Sequence, residues 1–318
     1  GGVCLNEGCI PTKTLLYSAK TYDSAKHASK YAINVSEVSF DLSKIIVRKS
    51  KVVRKLVLGV KAKLASNNVA IVSGEAQIID KNTVRCGEET YEGENLILCT
   101  GSETFIPPIP GVETVNYWTH RDALDNKELP ASLAIVGGGV IGMEFASFFN
   151  SLGVQVTVVE MLDEILGGMD KELSALLRAE YAKRGIKFLL STKVVGLSQT
   201  EGGAVVSYEN AEGSGNVVAE KLLMSVGRRP VTKGFGLENL NLEKTERGAV
   251  KVDEKMQTSV PGVYVCGDLT GFSLLAHTAV REAEVAVHSI LGKEDTMSYR
   301  AIPGVVYTNP EIAGRSEE

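Results

Sequence analysis

The sequence predicts an α/β fold organised around a dinucleotide-binding unit, and three observations carry that prediction. From Ser132 the chain reads strand (SLAIVGG), helix (VIGMEFASFFNSLG), strand (VQVTVVE), helix (KELSALLRAEYAKRG) and strand (KFLLST), the βαβαβ order of a parallel sheet with crossover helices. Gly137, Gly139 and Gly142 supply G-x-G-x-x-G directly after the first apolar strand and at the opening of a helix, the context that gives this short motif its weight. Farther on, VYVCGDLTG followed by LLAHTAVREAEVAVHSIL repeats a strand, a loop and a helix.

Each glycine has a separate task. The first permits the tight turn, the second lets a pyrophosphate approach the backbone, and the third lets helix and strand pack closely. The helix end offers unpaired N–H groups and positive potential to phosphate. Glu160 closes the next strand, where a carboxylate accepts hydrogen bonds from a ribose 2′-OH and repels a 2′-phosphate, so NAD is expected rather than NADP. A solvated strand-end carboxylate is the plainer alternative, and the surrounding βαβ pattern outweighs it.

Bulk properties restrict the rest. A chain of 318 residues with 44% hydrophobic and 23% charged residues is ordinary globular material for about two or three domains. A net charge of −5, with Lys and Arg scattered among Asp and Glu, leaves no basic footprint for nucleic acid. The most apolar stretch, Ser132 to Phe149, contains a glycine cluster and Glu144 and divides into strand, turn and helix, so no membrane partner is expected. The opening GGVCLNEGCIP lacks a basic start and an apolar core, no secretory signal is visible, and a cytoplasmic location is expected.

The first helix is expected to begin near Pro11 and run through KTLLYSAKTYDSAK, with a second over Asp41 to Leu64 whose lysines form a solvated outer face. Short β segments follow (VAIVSGEAQII, TVRCG, ETYEGENLILCTG) up to the proline-rich IPPIPG at Ile106 to Gly111. A β-meander from Val194 to Val226 leads to VGRRP, a second boundary, and the tail AIPGVVYTNPEIAGRSEE begins a new strand.

Five cysteines do not make a disulfide scaffold, and the odd number leaves at least one thiol unpaired. Cys4 and Cys9 enclose Leu-Asn-Glu-Gly, with Gly8 permitting a sharp turn before the helix, so their sulfurs can meet. A thiol at a helix amino end has its thiolate stabilised, and Lys13 lies four positions on, on the same face as Cys9. Two unrelated thiols, or half a zinc site, are the alternatives; zinc wants four ligands and no second Cys pair or close Cys/His group stands by. A redox pair is the better reading. Linking sulfur chemistry to hydride transfer calls for an intermediary, usually a flavin. Cys86, Cys99 and Cys266 are assigned no chemistry, the last two as small apolar residues in LILCTG and VYVCGD. His27, His120 and His288 have no supporting constellation.

GGVCLNEGCIPTK resembles the redox-loop signature of the pyridine nucleotide-disulfide oxidoreductases, and LILCTGSETFIPPIPG, VGGGVIGMEFA, MSVGRRP, VPGVYVCGDLTG, LLAHTA and VVYTNPEIAG have counterparts in order along nearly the whole chain. Glu160, CLNxGCIP and VVYTxPEIA look most like the members that oxidise dihydrolipoamide with NAD. The resemblance implies two Rossmann-like FAD/NAD(P)-binding domains of three-layer β/β/α character. It implies a partial FAD domain with the dithiol at 1–106, an NAD domain at 107–232, a central domain completing the FAD site at 233–302, and the start of an interface domain at 303–318.

By the same resemblance Cys4 exchanges with the substrate sulfurs and Cys9 lies against the flavin, while Lys13 contacts the flavin near N5 and pairs with Glu144. Gly74 and Ala76 match the segment that touches the adenine. Thr100 and Gly101 match a strand end at the flavin, Asp268 holds the ribityl or pyrophosphate region, and Ala276 with His277 closes over the ring. His277 contributes backbone and packing there rather than acting as a base. The implied NAD set is Gly137, Gly138, Gly139, Val140, Ile141, Gly142, Glu144, Glu160, Val194 and Gly227. The implied partners are lipoyl domains of 2-oxo acid dehydrogenase or glycine cleavage complexes, and a second copy in a homodimer.

The chain departs from the family pattern at both ends. The FAD-binding βαβ unit that normally precedes the redox loop, and the dimerisation domain with its His-Glu acid/base pair, have no counterpart here, so the sequence reads as part of a longer protein. Weak flavin retention and low turnover are expected of this stretch alone. Glu7, between the cysteines, is a further departure and is expected to face solvent.

Overall fold

The computed structural model describes residues 2–315; the outermost positions of the expected first and last domains, 1 and 316–318, lie outside the described residues. Chain direction reverses immediately at the redox loop. A short helix α1 (Val3–Glu7) meets α2 (Cys9–Lys26) at Gly8, whose φ of −133° and ψ of −109° suit glycine, and a Cβ there would stand 3.0 Å from the Val3 carbonyl oxygen. The first long helix therefore begins at Cys9 rather than Pro11, and Cys4 sits on a turn of its own.

Helix α2 buries Leu15, Leu16 and Ala19, and α3 (Leu42–Ser66) is capped by Asp41, whose side chain accepts from the Lys44 N–H at 3.0 Å. Its buried stripe is Leu42, Ile46 and Lys49, so one of the supposedly solvated lysines is a core residue: Lys49 donates to the Leu124 carbonyl and pairs with Asp125. The aliphatic stem packs inside while the ammonium finds two oxygens.

Strands β1 (Ala76–Ile78), β2 (Thr83–Cys86) and β3 (Glu89–Glu92) form an antiparallel meander. The expected strand over VAIVSG does not form. Residues 69–75 carry no ladder, and Val69, Ile71 and Val72 stand about half-exposed, because β-propensity without a neighbouring strand leaves backbone groups to water. Strand β4 (Leu96–Leu98) leads to β5 (Ser102–Thr104), then β6 (Tyr117–Trp118) and α4 (His120–Asp125), whose Thr119–Asp122 capping box fixes its start.

The nucleotide-binding pattern forms in full. Strand β7 (Ser132–Val136), helix α5 (Val140–Ser151), β8 (Gln155–Val159), α6 (Lys171–Lys183) and β9 (Lys187–Leu189) follow in order. The hairpins β10 (Lys193–Thr200), β11 (Gly203–Asn210) and β12 (Gly213–Ala219) make a separate antiparallel sheet, and β13 (Lys221–Met224) returns to the main one. That sheet has the order β6-β13-β7-β8-β9, every neighbouring pair parallel. The expected meander from Val194 to Val226 thus loses its last strand to the parallel sheet, where Leu222, Leu223 and Met224 are buried on both faces.

Alternation along β7 makes the layers. Leu133 and Ile135 face Phe145, Phe148 and Phe149 of α5, while Ala134 and Val136 face Ala204, Val206 and Ala219 of the meander, giving the β/β/α sandwich. The same helix-side core takes in Leu15 and Leu16 of α2, so the dithiol helix and the nucleotide helix share one apolar interior.

Strand β14 (Arg228–Pro230) pairs antiparallel with β5, and the two expected boundaries, at 106/107 and 232/233, fall just beyond these paired crossings. Strand β15 (Val263–Val265) pairs parallel with β4, α7 (Ala276–Ile290) follows, and the hairpin β16 (Pro303–Val306) and β17 (Ile312–Arg315) lays Val306 and Ile312 into the α2–α5 core. Tyr181 is fully buried beside that hairpin; its hydroxyl donates to Ser147 Oγ at 2.6 Å and accepts from the Asn309 N–H at 3.0 Å. Tyr181→Phe is expected to cost about 1–3 kcal/mol by leaving buried groups unpaired, read as a lower urea midpoint at unchanged slope.

Candidate functional site: a dithiol beside a dinucleotide cradle

Cys4 and Cys9 form a disulfide across the α1–α2 turn, with Cα atoms 4.5 Å apart, and Cys9 is the first residue of α2. One turn along, Lys13 Nζ donates to Glu144 Oε2 at 2.6 Å, and the carboxylate is almost wholly buried, with 3% of its side chain exposed. Its other oxygen accepts the Tyr307 N–H at 3.1 Å, and the Lys13 ammonium lies 5.1 Å from the centre of the Tyr307 ring. Glu144 belongs to the helix that opens on the glycine turn. A single ion pair therefore joins the dithiol helix to the nucleotide helix, and the C-terminal hairpin closes it from a third side.

The glycine turn has the geometry that its spacing requires. Gly137 has φ of +105°, and a Cβ there would run into the Ser225 carbonyl; a Cβ on Gly142 would run into the Gly137 carbonyl, so β7 and α5 touch backbone to backbone. Gly139 opens instead onto free space, with nothing within 4 Å of its Cβ direction. No side chain caps α5, and Val140 and Ile141 in its first turn are exposed. Glu160 accepts from the Gly138 N–H at 2.6 Å and from the Leu162 N–H at 2.8 Å, which holds its carboxylate against the turn. Val194 is half-buried on β10, and Gly227, with φ of +119°, is exposed after β13.

A second group gathers at the carboxyl ends of β4 and β15. Thr100 and Ala276 are exposed, as is His277, and Asp268 lies on the single 3-10 turn Gly267–Thr270. Ala76 opens the small meander and Gly74 stands just before it, where a Cβ on Gly74 would meet the Cys86 sulfur at 2.6 Å. Asp268 accepts from Ser102 Oγ, whose oxygen in turn accepts from Arg228 Nε at 2.8 Å. Below it, fully buried Glu282 accepts from the Gly267 N–H at 2.5 Å and from the Tyr299 hydroxyl at 2.7 Å, and burial pushes its carboxyl above the usual range. Arg228, Ser102, Glu282 and Tyr307 were missed by sequence reasoning because a single polar residue in a strand or helix does not announce a partner far along the chain.

Three expectations are corrected here. Glu7 does not simply face solvent: Arg121 of α4 grips it through Nε at 2.7 Å and through a second nitrogen at 2.6 Å, and this guanidinium holds its carboxyl below the ordinary value. Cys99 is exposed rather than buried, because it lies past the end of β4. Two histidines do have constellations. His288 Nδ1 lies 2.7 Å from Asp295, which Arg281 also holds and whose carboxyl is brought down to about 2. The His27 ring, just past the end of α2, bonds the Asp23 carbonyl of that helix and no other partner among the described residues.

His120 is buried against Thr104, its Nε2 has no partner among the described residues, and burial with the nearby Arg228 charge brings it down to about 4. The unfolded chain takes up a proton from about pH 6.5 downward that the folded chain refuses until about pH 4, so stability falls with falling pH across that window. His120→Gln is expected to flatten this slope in urea midpoints measured between pH 4 and 7; an unchanged slope would count against it.

Among the described residues no cluster of three or more His, Cys, Asp or Glu side chains is placed to hold a metal ion, and no helix is long and apolar enough to cross a membrane. The sequence profile of the pyridine nucleotide-disulphide oxidoreductases matches residues 1–283. The chain is 37% identical to the dihydrolipoyl dehydrogenase of Geobacillus stearothermophilus, over 98% of its own length and 67% of that protein's. It is 41% identical to the dihydrolipoyl dehydrogenase of Acholeplasma laidlawii, over 92% and 86%. Among solved structures, the HOCl-induced flavoprotein disulfide reductase RclA of Escherichia coli, as its Cu(II) complex, superposes with a TM-score of 0.86 at 29% identity, covering all of this chain and 69% of that one. LpdA of Mycobacterium tuberculosis does so with 0.89 at 27%, covering 98% and 69%. A dithiol one helical turn from a buried ion pair, a glycine cradle on the far side of that pair, and matches along almost the whole length agree: the chain belongs to the pyridine nucleotide-disulphide oxidoreductase family.

Proposed function

We propose that this chain carries the electron path of an NAD-dependent dihydrolipoamide oxidation, and the observation that carries the reading is the Lys13–Glu144 pair joining the Cys4–Cys9 helix to the glycine-turn helix. One thiolate of the substrate attacks Cys4, Cys9 leaves as thiolate, and the second substrate sulfur displaces Cys4, so that two electrons move onto the protein sulfurs. The α2 amino end and the Lys13 ammonium stabilise the Cys9 thiolate.

The residues fit both cofactors. Gly139 leaves open space where a pyrophosphate approaches, the α5 N–H groups are uncapped, and Glu160 stands ready for a ribose hydroxyl. Thr100, Gly101, Asp268, Ala276 and His277 ring the ends of β4 and β15, the face of a parallel sheet where ligands bind, with Gly74 and Ala76 toward the adenine. Flavin, when bound, couples the electron pair of the thiols to hydride transfer to NAD+. Val140 lies on the nicotinamide side, with Gly138, Ile141, Val194 and Gly227 lining the rest of the nucleotide. The partners are lipoyl domains of 2-oxo acid dehydrogenase or glycine cleavage complexes, the working state is a homodimer, and the location is the cytoplasm. The domain division is that given above, with 303–318 opening an interface domain.

A glutathione or mercuric reductase of the same family is the rival reading, and an NAD-binding module with an idle dithiol is the rival outside catalysis. A panel of dihydrolipoamide with NAD+, and of oxidised glutathione and Hg(II) with NADH and NADPH, separates them. Assayed on the whole protein, the expected result is turnover with dihydrolipoamide and NAD+ alone; faster reduction of glutathione or Hg(II) would overturn the substrate assignment.

A further inference from the structure

The redox loop carries one charged side chain between its cysteines, and that charge is tied to a distant helix. Helix α1 buries none of its side chains, and the Asn6 amide bonds only the Gly2 carbonyl of the same turn. Apolar packing therefore does little to fix the turn that holds Cys4. Glu7, three positions after Cys4 and two before Cys9, closes α1 and receives a planar fork. Arg121 Nε donates to Oε2 at 2.7 Å and Nη2 to Oε1 at 2.6 Å. Side chains three apart share a helix face, so the fork grips α1 on the face of Cys4.

Neither member of the pair has a competing partner. Arg121 stands at the second position of α4, whose opening the Thr119–Asp122 capping box fixes. Asp122 accepts the Thr119 N–H at 2.7 Å, and Glu103, the other carboxylate near Arg121, is taken by Arg229 at 2.8 Å. Arg228, the other guanidinium near Glu7, is committed to the hydroxyl and carbonyl of Ser102 at 2.8 and 2.6 Å. Only 29% of the Glu7 side chain is exposed, and a shielded bidentate pair outweighs an ordinary surface ion pair. With Lys13–Glu144 it places the dithiol between two ion pairs, each reaching a helix of the 107–232 stretch.

Opening the disulfide removes the covalent tie between α1 and α2, and the ion pair remains. While the bond is closed α1 is already ordered, so the pair forms at little entropic cost; by linkage the pair favours the closed bond by the same factor. We infer that Glu7 and Arg121 are a positioning pair that keeps Cys4 in register with Cys9 in the dithiol state and so shifts the couple toward the disulfide. The inference rests on reading Cys4–Cys9 as a redox pair, and not on the identity of the substrate.

The test equilibrates the whole protein, flavin bound, in graded mixtures of reduced and oxidised dithiothreitol, quenches in acid, and counts N-ethylmaleimide on Cys4 and Cys9 by mass spectrometry after denaturation. One dithiothreitol thiolate attacks Cys4 and expels the Cys9 thiolate; the second displaces Cys4 and closes the cyclic disulfide, and the two protons of dithiothreitol end on the protein thiols. In Glu7→Gln and in Arg121→Gln the bond is expected to open at a reduced-to-oxidised ratio about fivefold lower, and by the same factor in the double variant, because each change removes the whole pair. Arg121→Lys, which keeps the charge but not the fork, is expected to fall between. Single changes that move the ratio in opposite directions would show the two charges acting on the thiols separately, and an unmoved ratio would leave the pair merely structural; either result would overturn the inference. A Cys4–Cys9 bond that does not open and close reversibly at any ratio would reject the redox reading itself, and the inference with it.

Discussion

In the whole protein, replacing Cys4 or Cys9 with serine is expected to reduce NAD-linked dihydrolipoamide oxidation to background while leaving nucleotide binding at Gly137–Gly142 unchanged. A serine oxygen cannot form or break the sulfur–sulfur bond that stores the electron pair, and each cysteine has its only bonded sulfur in the other. The nucleotide turn owes nothing to that bond. It is held by the Gly137–Gly142 backbone contact and by Glu160, neither of which touches the redox loop. Steady-state NAD+ reduction and calorimetric NAD titration on the same samples check both halves. Persistent turnover in either variant would reject the dithiol as the electron carrier.

The second large effect separates two glycines of one motif. Gly139→Val adds a side chain where nothing in the protein lies within 4 Å, so the fold is expected to melt as before. NAD affinity should nevertheless fall by about a hundredfold or more, roughly 2.8 kcal/mol, because the new methyl groups occupy the space a pyrophosphate needs. Gly142→Val adds its side chain against the Gly137 carbonyl, and both melting temperature and affinity should drop. Thermal melts with NADH fluorescence titrations distinguish the pair. Equal affinity in Gly139→Val and the unsubstituted chain would show that the open space is not the nucleotide's.

The NAD-binding unit was the most legible part of the chain, because its determinants are local. Strand periodicity, a glycine turn and a helix opening follow one another within a few residues, and β7, α5 and β8 appear where SLAIVGG, VIGMEFASFFNSLG and VQVTVVE place them. Local signals misled where a neighbour was needed to complete them. VAIVSG has strand composition but no strand to pair with, and Lys49 has a charged side chain on a basic helix yet lies beneath α4. The last strand of the expected meander crossed to the parallel sheet because its apolar residues fill the gap between β6 and β7.

The candidate site divides in the same way. Cys4 and Cys9 could be paired from five-residue spacing with a glycine between them, and Glu160 from its place at a strand end. The Lys13–Glu144 pair was available only through family resemblance, since its members are separated by 131 residues. The Glu7–Arg121 grip and the Arg228–Ser102–Asp268 chain came from the structure alone. By itself the sequence determined that this protein holds a redox dithiol and a dinucleotide turn, because each is built from residues adjacent along the chain. Only the tertiary structure decided how the two are coupled and which other charges lie beside them. Those contacts depend on which strand pairs with which and how helices pack across a shared core, and spacing along the chain does not encode that distance.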